Sequence, residues 1–500
     1  ADTAAAKSAY RAAARGKTSQ LFKAHKYEKI LVLLFVCTLP LVNPWVRGDG
    51  VGYYAFARAL LIEHHFDFQQ DWLRANSSFR MGRVDDQNRI LPTEFTSTGH
   101  LDNHFSIGPA MLWFPFLLAA HAAVKINHFA GGHIPADGFS FPYVFAMAMG
   151  TALYGFAGIL LSFQWTKKYL PVRWAFWGTL GIWFASSLPV YMYFNPSWSH
   201  ALSAFSVALF FCYWDRTRED RTWTQWLVLG LISGLMMDVY FVCAVLLIVP
   251  LVESLFGYWR GLQLHQPQVV GRLFLQNVLF ALTVLVAFFP TLITKKIIYG
   301  SFLQFGYGPQ WYLSSPALLK VCFSSEHGLF SWTPVVLFAV VGLVLLHKAD
   351  RALSFYAVLA FATYLYTIGC YEDWAGISSF GARFFVSLTP LFILGLASLF
   401  NWLAETLSER SAAILAPATA GILIVWNLGL VFQWGTHLVP ARGPISWRDA
   451  AYNQVAVVPV EATRTLKSYL TRRKQLMGHI EDQDVRQIKS GQAAGTEPSR

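Results

Sequence analysis

Apolar runs of about 17–25 residues, long enough to cross a hydrocarbon core of roughly 30 Å, recur along the sequence between short charged stretches. They fall at Ile30–Val46, Phe141–Trp165, Val172–Phe194, Leu273–Thr294, Phe384–Ala404 and Ala412–Gln433, with somewhat shorter runs at Ala201–Trp214, Trp332–Leu346 and Leu353–Ile368. Gln225–Val239 and Tyr240–Phe256 read as two shorter helices broken around Met237-Asp238-Val239-Tyr240. The pattern predicts an all-α polytopic membrane protein with about eleven crossings.

Charge orients these spans. Residues 1–29 form an Ala-rich polar tail with Lys7, Arg11, Arg15, Lys17, Lys23, Lys26 and Lys29, too long and too polar for the n-region of a cleaved signal. Basic residues before a first span stay in the cytoplasm, so Val46 is expected to emerge outside. By the same rule Lys167-Lys168 with Arg173, Asp215–Arg221, Arg260–Arg272 and His347–Arg351 belong inside. Parity then bears on residues 47–140. Phe141–Trp165 ends inside at Lys167 and so starts outside, which means that 47–140 both begins and ends outside. Phe105–Val124, although apolar, is therefore expected to dip into or lie along the outer leaflet without crossing. The transmembrane domain is expected over 30–433, with a later outer loop at 295–331 and an outer tail at 434–500. In that tail one amphipathic helix is expected around Val460–Met477, and its last polar stretch is expected to be disordered.

Composition agrees with this class. A chain that is 55% hydrophobic, 16% aromatic and only 13% charged has too few charges to cover a soluble surface. The net charge of +11 comes from the tails and the short loops, a distribution that serves orientation and argues against nucleic acid as a partner. Cys37, Cys212 and Cys243 fall in apolar runs as small packing residues. Cys322 and Cys370 fall in loops expected outside, where pairing is left open. No CxxC or His/Cys cluster suggests a structural metal, and a divalent ion is neither required nor excluded.

The chemistry-bearing residues gather on the expected outer side. Arg47-Gly-Asp49-Gly-Val-Gly-Tyr53-Tyr54 follows the first span directly and continues to Arg58, Glu63-His-His65 and Asp67. A carboxylate at the exit of a span escapes the roughly 2.5–3.5 kcal/mol cost of a mid-bilayer charge and stays available for proton transfer. Asp49 could equally cap the helix that starts there. Asp102, Asn103, His104, Asn195, Ser197, His200, Lys295, Lys296, Glu326, His327, Glu372, Asp373 and Arg383 complete the outer set. Lysines at a span end usually snorkel, which is the simpler account of Lys295 and Lys296. His200 reads as an outer-loop residue bonded to a helix end, and Glu372-Asp373 as a solvated turn. Arg383 follows Gly381 at the very start of a span, where its fork is suited to a phosphate.

Asp49 just after the first span, with Tyr53-Tyr54 and Ala57-Arg58 behind it, resembles the first extracytoplasmic loop of the C-type (GT-C) membrane glycosyltransferases. The protein O-mannosyltransferases and lipid A aminoarabinose transferases are the most similar by pattern. Phe105-Ser-Ile-Gly-Pro-Ala-Met-Leu-Trp113 with Pro115 is similar to their membrane-surface helix, and Asn195-Pro-Ser-Trp-Ser-His200, Ser325-Glu-His-Gly-Leu-Phe-Ser-Trp332 and Phe380-Gly-Ala-Arg383 to further motifs. The likeness covers most of 30–433. One departure is Asp49-Gly50 where many relatives have Asp-Glu. The resemblance implies a helical bundle with extracytoplasmic juxtamembrane helices in the plasma membrane, its amino terminus cytoplasmic and its site periplasmic. It implies a polyprenyl-phosphate sugar donor, inverting transfer to a glycan, lipid or protein hydroxyl, and Asp49 as general base. Arg383, Lys295, Lys296, His200 and His327 are then the candidates for the donor phosphate. Tyr53, Tyr54, Arg58, Glu63, His104 and Glu326 are the candidates for sugar and acceptor. The absence of a Gly-rich phosphate loop agrees with a donor that is not a nucleotide. Two other readings stay open. A transporter or flippase for lipid-linked glycans would use the break at Asp238, and a polymerase or ligase would use the loop at 295–331.

Overall fold

The computed structural model describes residues 25–304 and 310–493. Most of the basic tail expected at 1–29, and the end of the polar stretch expected to be disordered, lie outside the described residues. The chain enters through α1 (residues 25–38), which tightens at Pro40 into a 3-10 turn over Leu39–Leu41. An extended stretch leads to α2 (Asp49–Arg58), whose end widens into a π-turn over Ala59–Glu63. The short α3 (Gln69–Arg74) and α4 (Ser77–Arg80) precede the long α5 (Gly108–Phe129) and α6 (Phe141–Tyr169). After these come α7 (Val172–Ala185), α8 (His200–Thr217), α9 (Trp223–Val239), α10 (Ile248–Gln263) and α11 (Pro267–Tyr299). A loop with the short α12 (Leu318–Phe323) and α13 (Leu329–Trp332) leads to α14 (Pro334–Leu345), α15 (Arg351–Cys370), α16 (Thr389–Thr406) and α17 (Glu409–Gly435). The described chain closes with α18 (Trp447–Ala456), α19 (Val458–Thr471) and α20 (Arg473–Ala493).

Among the described residues, 7 helices are long and apolar enough to cross a membrane: α5, α6, α10 with its leading turn, α11, α15, α16 with its leading turn, and α17. The shorter α9 and α14 are also apolar. Each expected crossing contains helix, although Ile30–Val46 is helical only as far as Leu41 and extended from Val42 on, and the all-α polytopic class expected from the apolar runs is the one found. The break expected near Asp238 is present, with α9 ending at Val239 and a 3-10 turn over Phe241–Leu247 leading into α10. Val172–Phe194 is not one rod. α7 stops at Ala185, and Asn427 on α17 donates to the carbonyls of Phe184 (2.9 Å) and Ser186 (2.8 Å) that the break leaves free. All 5 cysteines are free thiols, Cys322 and Cys370 included.

The apolar window of α16 is 89% buried, which puts this helix at the centre. Its crossing with α14 is backbone on backbone: a Cβ at Gly342 would sit 1.8 Å from the Gly395 carbonyl oxygen, so only glycine fits. The charged short loops meet at one end of the bundle. There Lys167 bonds Glu28 (2.7 Å), Lys168 bonds Asp215 (2.8 Å), Arg218 bonds Asp350, and Arg221 bonds Glu253 (3.2 Å). The remaining polar side chains discussed below lie at the opposite end.

Two segments position that end. α5 begins against the far end of α9, where a Cβ at Gly108 would meet the Asp238 backbone at 2.3 Å. It then runs antiparallel to the first half of α6, with Trp113 bonded to Thr151 (2.8 Å) and His121 to Tyr143 (2.7 Å). So α5, although of spanning length, starts at the end remote from the charged loops and heads further away. The second segment is the tail, where the expectation is corrected. The single helix expected around Val460–Met477 is split at Arg472 between α19 and α20, and the polar residues after it continue as helix to Ala493. Polar composition did not leave α20 free, because one of its faces lies on the stretch leading into α2.

Candidate functional site

Val42–Arg47 is extended, tied down by the Asn43 amide on the Tyr193 carbonyl (2.7 Å). Gly48 then turns the chain at φ +53°, where a side chain would be strained. Gly50 packs so closely on Ser197 that a Cβ would lie 2.0 Å from its Oγ. Trp198 locks the turn from the other side by donating its Nε1–H to the Arg47 carbonyl (2.9 Å). The cap of α2 is Gly48, not Asp49. Asp49 is instead free to reach across the molecule, and its Oδ2 accepts from Arg383 Nη1 at 2.8 Å.

Arg383 stands at the start of the 3-10 turn that leads into α16. Its guanidinium lies over Trp198 (4.7 Å) and beside Phe384 (5.3 Å), and its buried Nε has no partner. Gly376 has to be glycine to admit it, since a Cβ there would be 2.9 Å from that Nε, at φ +72°. The loop carrying Gly376 is held by His327, whose Nδ1 bonds the Ala375 carbonyl (2.7 Å) and lies 3.3 Å from Ser379 Oγ. Burial, against that bond, pushes His327 down to about 4, so its ring is a neutral strut. His200, the first residue of α8, is boxed by Tyr191 (4.7 Å) and Tyr240 (5.3 Å), and its buried Nδ1 has no partner. Tyr53 accepts from Ser199 Oγ (3.0 Å), and burial pushes its hydroxyl well above the ordinary phenol range.

Asp49, Tyr53, His104, His200 and Arg383 all line one cavity of about 1070 Å³. Its polar end also holds Arg47, Arg83, Asp102, Glu372 and Asp373. Its other half is mostly apolar, walled by Val431, Phe432 and Trp434 of α17, by Leu466 and Tyr469 of α19, and by Leu476, Met477 and Ile480 of α20, with His437, Arg442 and Asp484 at its border. An amphiphile with an anionic head matches that division.

Other candidates are elsewhere. Lys295, 1% exposed, donates to the carbonyls of His104 (2.7 Å), Phe105 (2.9 Å) and Asn103 (3.4 Å). It therefore shapes the stretch that presents His104 and Phe105 to the cavity without reaching the cavity itself. Lys296 bonds the Gly300 carbonyl (2.7 Å), and neither it, His327 nor Glu326 lines the cavity. Tyr54, Arg58 and Glu63 form a closed brace instead. Tyr54 donates to the Gly138 carbonyl (2.7 Å), and Arg58 bonds Asp71 (2.9 Å), Glu63 and the Asp137 carbonyl, out of contact with the cavity. Asp238 is buried with Oδ1 accepting from the Thr291 amide (3.2 Å), also away from the cavity. Among the described residues, no group of three or more His, Cys, Asp or Glu is placed to hold a metal ion.

The residues that sequence reasoning missed are Trp198, His437, Glu481 and Asp484, and Arg47, noted there only as a neighbour of Asp49, is the partner of Asp484. Glu372 and Asp373, read as a solvated turn, face the same cavity. Asp484 accepts from Arg47 and from His437 Nε2 (2.9 Å), while Glu481 accepts from the Ser78 amide (2.6 Å) and Asn76 Nδ2 (2.9 Å). The available signal was an acid pair three residues apart, next to the apolar Leu476, Met477 and Ile480, on one helical face.

No family model matches the sequence, and no curated protein matches it. Among solved structures the chain is similar to ArnT from Cupriavidus metallidurans in the apo state, with 12% identity, a TM-score of 0.47, and coverage of 93% of this chain and 78% of that one.

Proposed function

We propose that this protein is a membrane glycosyltransferase of the C-type that takes a sugar from a polyprenyl-phosphate donor, on the extracytoplasmic side, with Asp49 as general base and Arg383 as phosphate ligand. The observation that carries this reading is the Asp49–Arg383 pair, 334 residues apart in sequence, set at the polar end of a cavity whose other half is apolar. The motifs around Asp49 and Arg383 that resemble this family supply the reaction class.

The chemistry follows from the two side chains. Asp49 accepts the proton of an acceptor hydroxyl as its oxygen attacks the anomeric carbon from the face opposite the phosphate. The bond from that carbon to the phosphate oxygen breaks with inversion, and the departing polyprenyl phosphate takes the electron pair. Its growing charge is met by Arg383, a fork already fixed between Trp198 and Phe384. Arg383 keeps an unpaired Nε–H for this purpose, and His200 has an unpaired ring nitrogen on the same cavity. The carboxylate of Asp49 holds part of the fork that a phosphate would take.

Two features support the assigned side. The site is at the end opposite the clustered basic loops, which the positive-inside rule assigns to the cytoplasm. The course of α5 away from those loops supports its reading as a juxtamembrane helix. The test is transfer by purified full-length protein from a polyprenyl-phosphate sugar to lipid A, glycan and protein acceptors. Sugar appearing on one of these, with release of free polyprenyl phosphate, is expected. No turnover with any such donor would contradict the reading.

A further inference from the structure

We propose that α19 and α20 act as a closing strap over the hydrocarbon chain of the lipid-linked donor, with Glu481 and Asp484 as its fastenings. The proposal rests on the functional reading above and adds how the substrate is retained. The inner face of the strap is apolar first and acidic next: Tyr469, Leu476, Met477 and Ile480 border the cavity, Glu481 follows at once and Asp484 stands one turn beyond Ile480. The acids reach over to the body of the protein, Asp484 to Arg47 and His437, Glu481 to Asn76 and the Ser78 amide. At the near end Tyr469 donates to the Leu41 carbonyl (2.8 Å) and Arg473 to that of Pro40 (2.6 Å). Both ends of the strap are thus tied to residues leading into Asp49 or packed beside it.

The cavity of about 1070 Å³ lies beneath these helices, so the strap walls the space and does not fill it. The space is only partly enclosed, so release of the strap would widen the way in for a prenyl chain and refastening would close over it. The space decides the occupant. Its apolar half is continuous with the Asp49–Arg383 end, which suits one molecule with a hydrocarbon chain and a phosphate head. The fastenings are side-chain bonds at the border of the cavity.

The experiment uses the full-length protein in lipid nanodiscs, with Cys37→Ser removing the exposed thiol and Met477→Cys reporting on the cavity. Adding Glu481→Gln and Asp484→Asn is expected to speed maleimide labelling of the reporter about tenfold, the effect of losing charge-assisted bonds. Asp484→Glu, which keeps the charge, is expected to hold the slow rate, and this separates unfastening from misfolding. A long-chain polyprenyl phosphate is expected to slow labelling, and more so when the strap is fastened. A rate indifferent to Glu481→Gln and Asp484→Asn would overturn the strap. Direct binding of the polyprenyl phosphate without protection of the reporter would overturn the proposed occupant alone. No binding at all would overturn the functional reading and the occupant together.

Discussion

Helix α2 begins at Asp49, bonded to Arg383, and ends at Arg58, bonded to Asp71 and Glu63. Both are arginine–carboxylate pairs at the rim of the same bundle, yet their surroundings differ. Arg58 is 4% exposed and every nitrogen of its guanidinium donates, to Asp71, Glu63 and the Asp137 carbonyl, with the face stacked on Phe139 at 3.8 Å. Its carboxylate partners are 13 and 5 positions away, and it does not line the cavity. Arg383 spends one nitrogen on Asp49, 334 positions away, keeps Nε without a partner, and faces open volume. A guanidinium with all donors committed is a brace. One with donors unspent beside a cavity is placed to receive an anion.

Substitutions at the two ends of α2 should therefore fail in different assays. Arg58→Met leaves the Asp71 and Glu63 carboxylates beside each other without their cation, which costs about 3–5 kcal/mol of stability. Thermal unfolding should show that loss, while whatever remains folded keeps its affinity for donor. Loss of donor affinity with normal stability would dissolve the distinction. Arg383→Ala should do the reverse and weaken binding of a polyprenyl phosphate by about 10–100-fold, the value of a charge-assisted fork. Arg383→Lys should recover only part of it, because a point charge lacks the fork. Equal affinity in the Ala and Lys variants would argue against a bidentate contact.

Smaller effects sharpen the contrast. Lys295→Met removes the cation from three carbonyls and should cost about 1–3 kcal/mol of stability. Turnover should fall with donor affinity little changed, since Lys295 acts through the stretch that carries His104 and Phe105. A drop in affinity as large as that of Arg383→Ala would restore it as a phosphate ligand. The smallest effect concerns the strap. Burial opposes the charge of Asp484, but the bonds from His437 and Arg47 outweigh it and hold the carboxyl below the usual Asp range. The folded form then binds this proton more weakly than the unfolded chain, so the stabilisation is present above the ordinary Asp value and is lost as pH falls through the lowered one. Amide exchange in α20, corrected for the intrinsic rate, should rise on acidification below about pH 4. Flat exchange would remove Asp484 as a fastening.

How much of this was legible depends on how far apart the interacting residues are. The apolar runs mark the spans because membrane length demands them, and Asp49 and Arg383 stand out as charged residues at span ends beside glycines. Their contact with each other is invisible in one sequence, since it depends on Gly48, Gly50 and Gly376 admitting close approach. Lys295 reads as a snorkelling lysine because its partners are backbone carbonyls about 190 positions earlier, which no side-chain pattern reveals. Arg58, Glu63 and Tyr54 read as sugar ligands in the sequence, whereas the fold turns them into a brace, because the π-turn after α2 brings Glu63 back to Arg58 and Asp71 closes on it from α3. The α20 wall escaped because a polar segment shows an apolar stripe only once its partner surface is known.

The central claim is that Asp49 moves a proton and Arg383 holds the phosphate within one site. Asp49→Asn tests it most directly, because the amide is nearly isosteric, can still accept from Arg383 and does not touch the glycine cap of α2. Transfer from a polyprenyl-phosphate sugar should fall by about 10²–10⁴-fold, the usual contribution of a general base. Donor affinity, measured on the same stability-matched protein, should not fall below that of the parent, since the carboxylate that holds part of the Arg383 fork is neutralised. Near-parental turnover in the Asn variant would contradict the account.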